Sequence, residues 1–182
     1  MIFAETKLKG AFIIDLERRE DERGFFARTW CRQEFAGRGL NADLAQCSIS
    51  FNKRRGTLRG MHYQAAPHGE VKLVRCTRGA LVDVILDPRI GSPTFGKWVA
   101  VELTADNRVA VYIPEGCAHG FQTLADDTEV LYQIAGFYHP EAARGIRWDD
   151  PAFAVRWPLP PTVISPKDLA YPDFSPGPTP RR

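Results

Sequence analysis

VKLVRCTRGALVDVIL, residues 71–86, contains two apolar runs of six and seven residues, broken by TRG at 77–79. Each run is too short for an ordinary helix and is rich in Val, Leu and Ile. The break carries a glycine, so the pair reads as two strands around a turn. The pattern continues downstream. KWVAVEL (97–103) and RVAVYI (108–113) are joined across TADN, and TEVLYQIA (128–135) follows, with Val130, Tyr132 and Ile134 on one strand face. Between about 45 and 135 the chain therefore reads as short strands at regular spacing. That is the signature of an all-β sandwich or barrel.

Helical signals are few. CRQEFAGRGL (31–40) suits one short helix ending near Gly37 or Gly39. SPKDLA (165–170) suits a helical turn with Ser165 as cap and Pro166 in the first position. The predicted fold is all-β, a sandwich or barrel with one or two short helices. One domain is expected over 1–174, followed by a loose Pro-rich tail at 175–182.

Composition removes several classes of function. With 24 basic and 22 acidic residues the net charge is +2, without the strong basic excess of a nucleic-acid-binding domain. No run approaches the roughly 18 apolar residues of a membrane helix. The opening MIFAETKLKGAF lacks an apolar core for a signal peptide. Cys31, Cys47, Cys76 and Cys117 form no CxxC pair and match no zinc spacing, so reduced thiols in a cytoplasmic protein are expected.

GTLRGMHYQ (56–64) places a lone histidine, His62, in a β-type run. Metal-binding cupin barrels pair two histidines as HxH on one strand and follow with a PxGxxH motif. Pro114, Gly116 and His119 supply the second motif, which narrows the fold to a cupin-like barrel, but residue 64 is Gln64. An amide is a poor transition-metal ligand beside imidazole, so no metal is expected at this position. A second reading is acid–base chemistry. If residues 62–72 form a hairpin centred on Pro67, His62 faces Lys72, with Cβ atoms roughly 4.5–5.5 Å apart. An ammonium there disfavours imidazolium and can stabilise an enolate oxygen. Asp83, in LVDVIL, is a candidate carboxylate for either group. Asp168, three residues after Ser165, also fits a helix cap.

The motifs become specific as a set. DERGFF (21–26), GTLRGMHYQ (56–64), KLVRC (72–76), SPTFGKW (92–98), IPEGCAHGF (113–121), the tyrosine of EVLYQ (129–133) and SPKD (165–168) stand in one order. Together they resemble the dTDP-4-dehydrorhamnose 3,5-epimerase family, from about residue 2 to residue 174. The resemblance implies a metal-free, cofactor-free isomerase built as a double-sheet jelly roll, usually a homodimer. Its substrate is a nucleotide-linked 4-keto-6-deoxyhexose, inverted at C3 and C5. It implies His62 as base, Asp168 as its orienting carboxylate, Lys72 facing the C4 enolate and Tyr132 returning a proton from the opposite sugar face. It further implies substrate contacts from Arg23, Gln46, Ser48, Arg59, His119 and Lys167, and nucleobase stacking on Tyr138. Three positions depart from the family pattern: Arg28 and Ala143 stand where glutamates are usual, and Ser48 where asparagine is usual. These touch nucleotide or sugar contacts rather than proton transfer. They leave the nucleoside open, and a mono-epimerase, a ketoisomerase, a sugar-binding jelly roll and a metal-dependent cupin remain alternatives.

Overall fold

In the computed structural model, which describes residues 1–175, the chain switches sheets at the glycine of the TRG break. β7 (Lys72–Arg78) and β8 (Ala80–Leu86) are separated by Gly79 alone and do not pair. Gly79 has φ +77°, and a Cβ there would sit 2.6 Å from the Thr128 hydroxyl oxygen. Only glycine takes that corner without strain. β7 lies inside a six-stranded sheet with β1 (Ile2–Glu5), β2 (Phe12–Asp15), β5 (Gln46–Asn52), β10 (Ala110–Ile113) and β12 (Thr128–Ile134), in the order β1-β2-β10-β7-β12-β5. β8 lies inside a five-stranded sheet with β6 (Leu58–Gln64), β9 (Trp98–Thr104), β11 (Ala118–Thr123) and β13 (Ala143–Gly145), in the order β13-β6-β11-β8-β9. The pairings in both sheets are antiparallel. The expected double-sheet jelly roll is the fold observed.

The continuous apolar character of 71–86 has a packing cause. Val74, Cys76, Leu81 and Ile85 point between the sheets, with Val111, Phe121 and Val130. Leu73 points the other way, against Phe35 of α1 (Arg32–Ala36), Ile14 and Tyr112. Val84 and Leu86 pack outward under Met61, Ile146 and Phe153. Both faces of the central strands are therefore covered, and strict alternation of polar and apolar residues is lost. α1 ends at Gly37, as its glycines predict, and α2 (Pro166–Leu169) starts on the Ser165 cap. The strands before residue 45, including the small hairpin of β3 (Arg19–Asp21) and β4 (Gly24–Phe26), were not evident from the pattern. No described helix is long and apolar enough to cross a membrane. Apart from Ser175, the tail expected at 175–182 lies outside the described residues.

One expectation is corrected. Residues 62–72 are not a hairpin. His62 in β6 pairs with His119 and Gly145, whereas Lys72 in β7 pairs with Ile113 and Ile134 of the other sheet. The loop between them carries the chain across the sandwich. The two residues still converge, because both belong to inward positions near one end. The Lys72 ammonium Nζ reaches the His62 carbonyl oxygen at 3.4 Å.

Candidate active site

The site occupies the polar end of the space between the sheets. Alternation along β12 carries Val130 into the core and Tyr132 two residues onward into a cavity of about 640 Å³. β6 and β11 approach unusually closely there. A Cβ on Gly60, at φ +135°, would lie 2.4 Å from the Gly120 Cα. The register also shifts between His119 and Phe121. Such a bulge re-aims side chains, and Arg59 joins the cavity wall beside His62 and His119.

His62 Nε2 lies 2.7 Å from Asp168 Oδ1. The histidine side chain is 40% exposed and the aspartate only 5%. Asp168 satisfies both of its sequence readings at once. Its backbone N–H donates to the Ser165 hydroxyl at 3.1 Å, closing the helix cap. Its carboxylate takes His62, and the Gly60 N–H donates to the other oxygen at 3.4 Å. Burial alone would raise the pKa of this carboxyl, but the hydrogen bonds from His62 and Gly60 outweigh it and hold the pKa below the usual value. An ionised carboxylate only accepts. Nε2 of His62 therefore carries the proton, and Nδ1 is the free base.

Asp83 is not the partner of His62. It faces His119, with Nδ1 3.1 Å from Oδ2, and both side chains are buried. Burial pushes the His119 pKa down against the pull of Asp83, and the nearby Lys72 and His62 push the same way. His119 thus stands as a neutral imidazole that donates to Asp83 and leaves Nε2 for a ligand. The Tyr132 ring packs edge-on against it, centroids 5.7 Å apart. Burial and the Asp83 charge raise the Tyr132 pKa, opposed by Arg59, so the phenol keeps its proton.

Lys72 pairs with Glu70 at 3.0 Å, both side chains about nine-tenths buried. Gln64 positions that glutamate. Its amide nitrogen donates to Glu70 at 2.9 Å and to the Phe137 and His68 carbonyls, while its oxygen accepts the His139 N–H at 2.6 Å. Where a metal cupin needs a second imidazole, this chain has a buried bracket with every polar atom used. Among the described residues, the one set of three ligating side chains with donor atoms within 4.8 Å of one another is His68, His139 and Glu141, which line neither site cavity.

A smaller cavity of about 260 Å³ adjoins the first and shares His62 and Lys167 with it. Lys72, Tyr138, Ala143, Arg144 and Tyr171 line it. Gln46 supports it from below by accepting the Tyr138 N–H at 3.0 Å. Of the expected residues, His62, Lys72, Tyr132, Asp168, Arg59, His119, Tyr138 and Lys167 are brought together. Ser48 sits opposite Tyr132 in the β5–β12 register without lining either cavity. Arg23 is not brought in. It stands on the β3–β4 turn, 89% exposed and paired with Asp21 at 2.6 Å, which is the local turn geometry of that hairpin. Arg28, one of the departures, is held by Glu34 at 2.9 Å.

Three site residues went unnoticed in the sequence. Asn52 accepts from Arg59 Nε at 2.7 Å and aims the guanidinium. Glu70 had a readable signal, since residues two apart share a strand-like face with Lys72. Tyr171 had none. It follows α2 in irregular chain, lies directly over Gly145, and sets its ring edge-on to His62 at 6.2 Å. The assembled site offers a histidine on a buried carboxylate, a protonated phenol, and an ammonium nearby. That set can remove a proton beside a carbonyl, stabilise the enolate, and return a proton from another wall.

Comparison with known proteins gives a consistent result. The family model described as dTDP-4-dehydrorhamnose 3,5-epimerase matches residues 5–176. A dTDP-4-dehydrorhamnose 3,5-epimerase from Sinorhizobium fredii is 41% identical over 175 residues, 96% of this chain and 90% of that protein. The crystal structure of the enzyme of that name from Elizabethkingia anophelis superposes with a TM-score of 0.92 at 36% identity, covering 96% of each chain. The one from Bacillus anthracis, solved with TDP and PPi bound, gives 0.90 at 34% identity, covering 95% of this chain and 99% of that one.

Proposed function

This chain belongs to the dTDP-4-dehydrorhamnose 3,5-epimerase family, and from that premise we propose how its own residues carry the reaction. It is an isomerase acting on dTDP-4-dehydro-6-deoxy-D-glucose, whose C3 and C5 both flank the C4 ketone. His62 Nδ1 takes the proton from one of these carbons, and Asp168 stabilises the imidazolium that forms. The charge moves to the C4 oxygen, where the Lys72 ammonium meets it. Tyr132 delivers a proton to the opposite face. Inversion demands two walls, because a base that returned its own proton would restore the starting centre. Arg59 and Lys167 hold the diphosphate, where a guanidinium fork fits phosphate oxygens. Tyr138 stacks on the nucleobase, and His119 Nε2 accepts from a sugar hydroxyl.

The observation that carries this reading is the 2.7 Å His62–Asp168 pair in a cavity also lined by a protonated Tyr132. The test is NMR of the product formed from dTDP-4-dehydro-6-deoxy-D-glucose. Ring coupling constants of dTDP-4-dehydro-L-rhamnose, inverted at C3 and C5, are expected. Inversion at one carbon alone, or a displaced carbonyl, would replace this reading with a mono-epimerase or a ketoisomerase.

The working unit is a homodimer in this reading. Arg23 lies outside its own chain's cavities, and the hairpin that bears it exposes Phe26 at 76%. Arg23 would then serve the partner's site. The four free thiols suit a reducing cytoplasm, where we place the reaction.

A further inference from the structure

We propose that His68, His139 and Glu141 form a binding site for a divalent transition cation of the zinc class, separate from the epimerisation cavity. The donor set is two imidazoles and one carboxylate, the combination such ions take in three-ligand sites with water in the fourth position. Glu141 Oε1 lies 3.0 Å from His139 Nδ1 and 3.9 Å from His68 Nε2. Bonds of about 2.1 Å at tetrahedral angles separate two donors by about 3.4 Å. The observed spacings bracket that value, so small side-chain rotations close the site.

Two features argue for a built site rather than three neighbours on a surface. The imidazole rings stack with centroids 3.7 Å apart and planes 22° apart. The contact keeps both rings within reach of Glu141, and a turn of each ring out of the stack would swing its in-plane lone pair onto one ion. The backbones are also fixed. The His68 carbonyl and the His139 N–H both bond to the buried side chain of Gln64, at 3.2 and 2.6 Å. Residues 65–68 and 137–142 are thus held side by side before any ion arrives, which lowers the ordering cost of binding. Glu141 is 66% exposed, leaving an entry path and room for water.

The backbone bonds to Gln64 do not use either imidazole, so His68→Asn and His139→Asn keep the bracket and are expected to fold and to retain metal-free activity. The experiment is a Co²⁺ titration of chelator-treated, tag-free protein, followed by visible d–d absorption, with Zn²⁺ competition. Saturation at one ion per chain is expected, and affinity should fall as the pH is lowered, because protons compete for the ligands. Each variant should weaken binding by more than the roughly 10–100-fold that follows loss of an outer-shell partner. Zn²⁺ should raise the melting temperature of the wild-type chain but not of His68→Asn. Cys47→Ser and His62→Asn should bind as the wild type does. The proposal is overturned if the wild type shows no saturable binding, if both histidine variants retain it, or if His62→Asn or Cys47→Ser abolishes it.

Discussion

Replacing Asp168 with asparagine isolates one charge in the site. The substitution keeps the shape of the side chain. It also keeps the backbone N–H that closes the α2 cap on Ser165. What changes is the group 2.7 Å from His62 Nε2. If the amide presents its oxygen, the tautomer survives but the imidazolium loses its counter-charge. If it presents its NH₂, the ring proton moves to Nδ1 and the base is blocked. A hydrogen bond to a charged group contributes about 1.5–3 kcal/mol. At 1.36 kcal/mol per decade of rate, kcat should fall about 13- to 160-fold. KM should change little, because the carboxylate is buried behind the base. The assay is steady-state turnover of dTDP-4-dehydro-6-deoxy-D-glucose, paired with thermal unfolding. A kcat within threefold of wild type would refute the role given to Asp168. So would a loss of kcat fully matched by loss of folded protein.

Three further outcomes follow from the same geometry. Tyr132→Phe keeps the ring against His119 and removes the phenolic proton; net inversion should drop by about 10²–10⁴, the usual contribution of a general acid, while deuterium exchange with solvent persists, as measured by NMR. Gly145→Ala would put a methyl 2.0 Å from the Tyr171 ring, so denaturant titration should show a destabilisation of about 1–3 kcal/mol, and turnover should fall as the ring moves off His62. Stability should also depend on pH in two steps. His119 is held neutral with a lowered pKa, so its contribution is complete above the unfolded value of about 6.5 and is lost as pH falls below it. Asp168 likewise contributes above about 3.9 and loses that contribution as pH falls through its lower folded value. Melting temperature against pH should show both, and His119→Asn should remove the upper step.

Much of the fold was legible because the strand runs are short, apolar and punctuated by turn residues. The sheet assignments were not. A run buried on both faces, such as 71–86, carries no alternation to say which sheet it joins, and Gly79 looks the same in a hairpin as in a corner between sheets. That is why His62 and Lys72 were expected as hairpin neighbours although they meet across the sandwich. The site was legible where a motif fixes local geometry, as SPKD does for Asp168. It was not legible where a contact depends on tertiary closure. Tyr171 over Gly145, Asn52 beneath Arg59 and the Asp83–His119 pair are long-range meetings that no local spacing encodes. Arg23 marks the opposite limit, a residue matched by motif that the chain by itself leaves outside the cavity.

The central claim is that His62 is the base for both inversions. The direct measurement is ¹H NMR of dTDP-4-dehydro-6-deoxy-D-glucose in D₂O with wild-type protein and with His62→Ala, after circular dichroism shows that both are folded. Loss of both the C3 and C5 proton signals is expected with the wild type, and retention of both with the variant. Near-normal exchange at either carbon in His62→Ala would contradict the account.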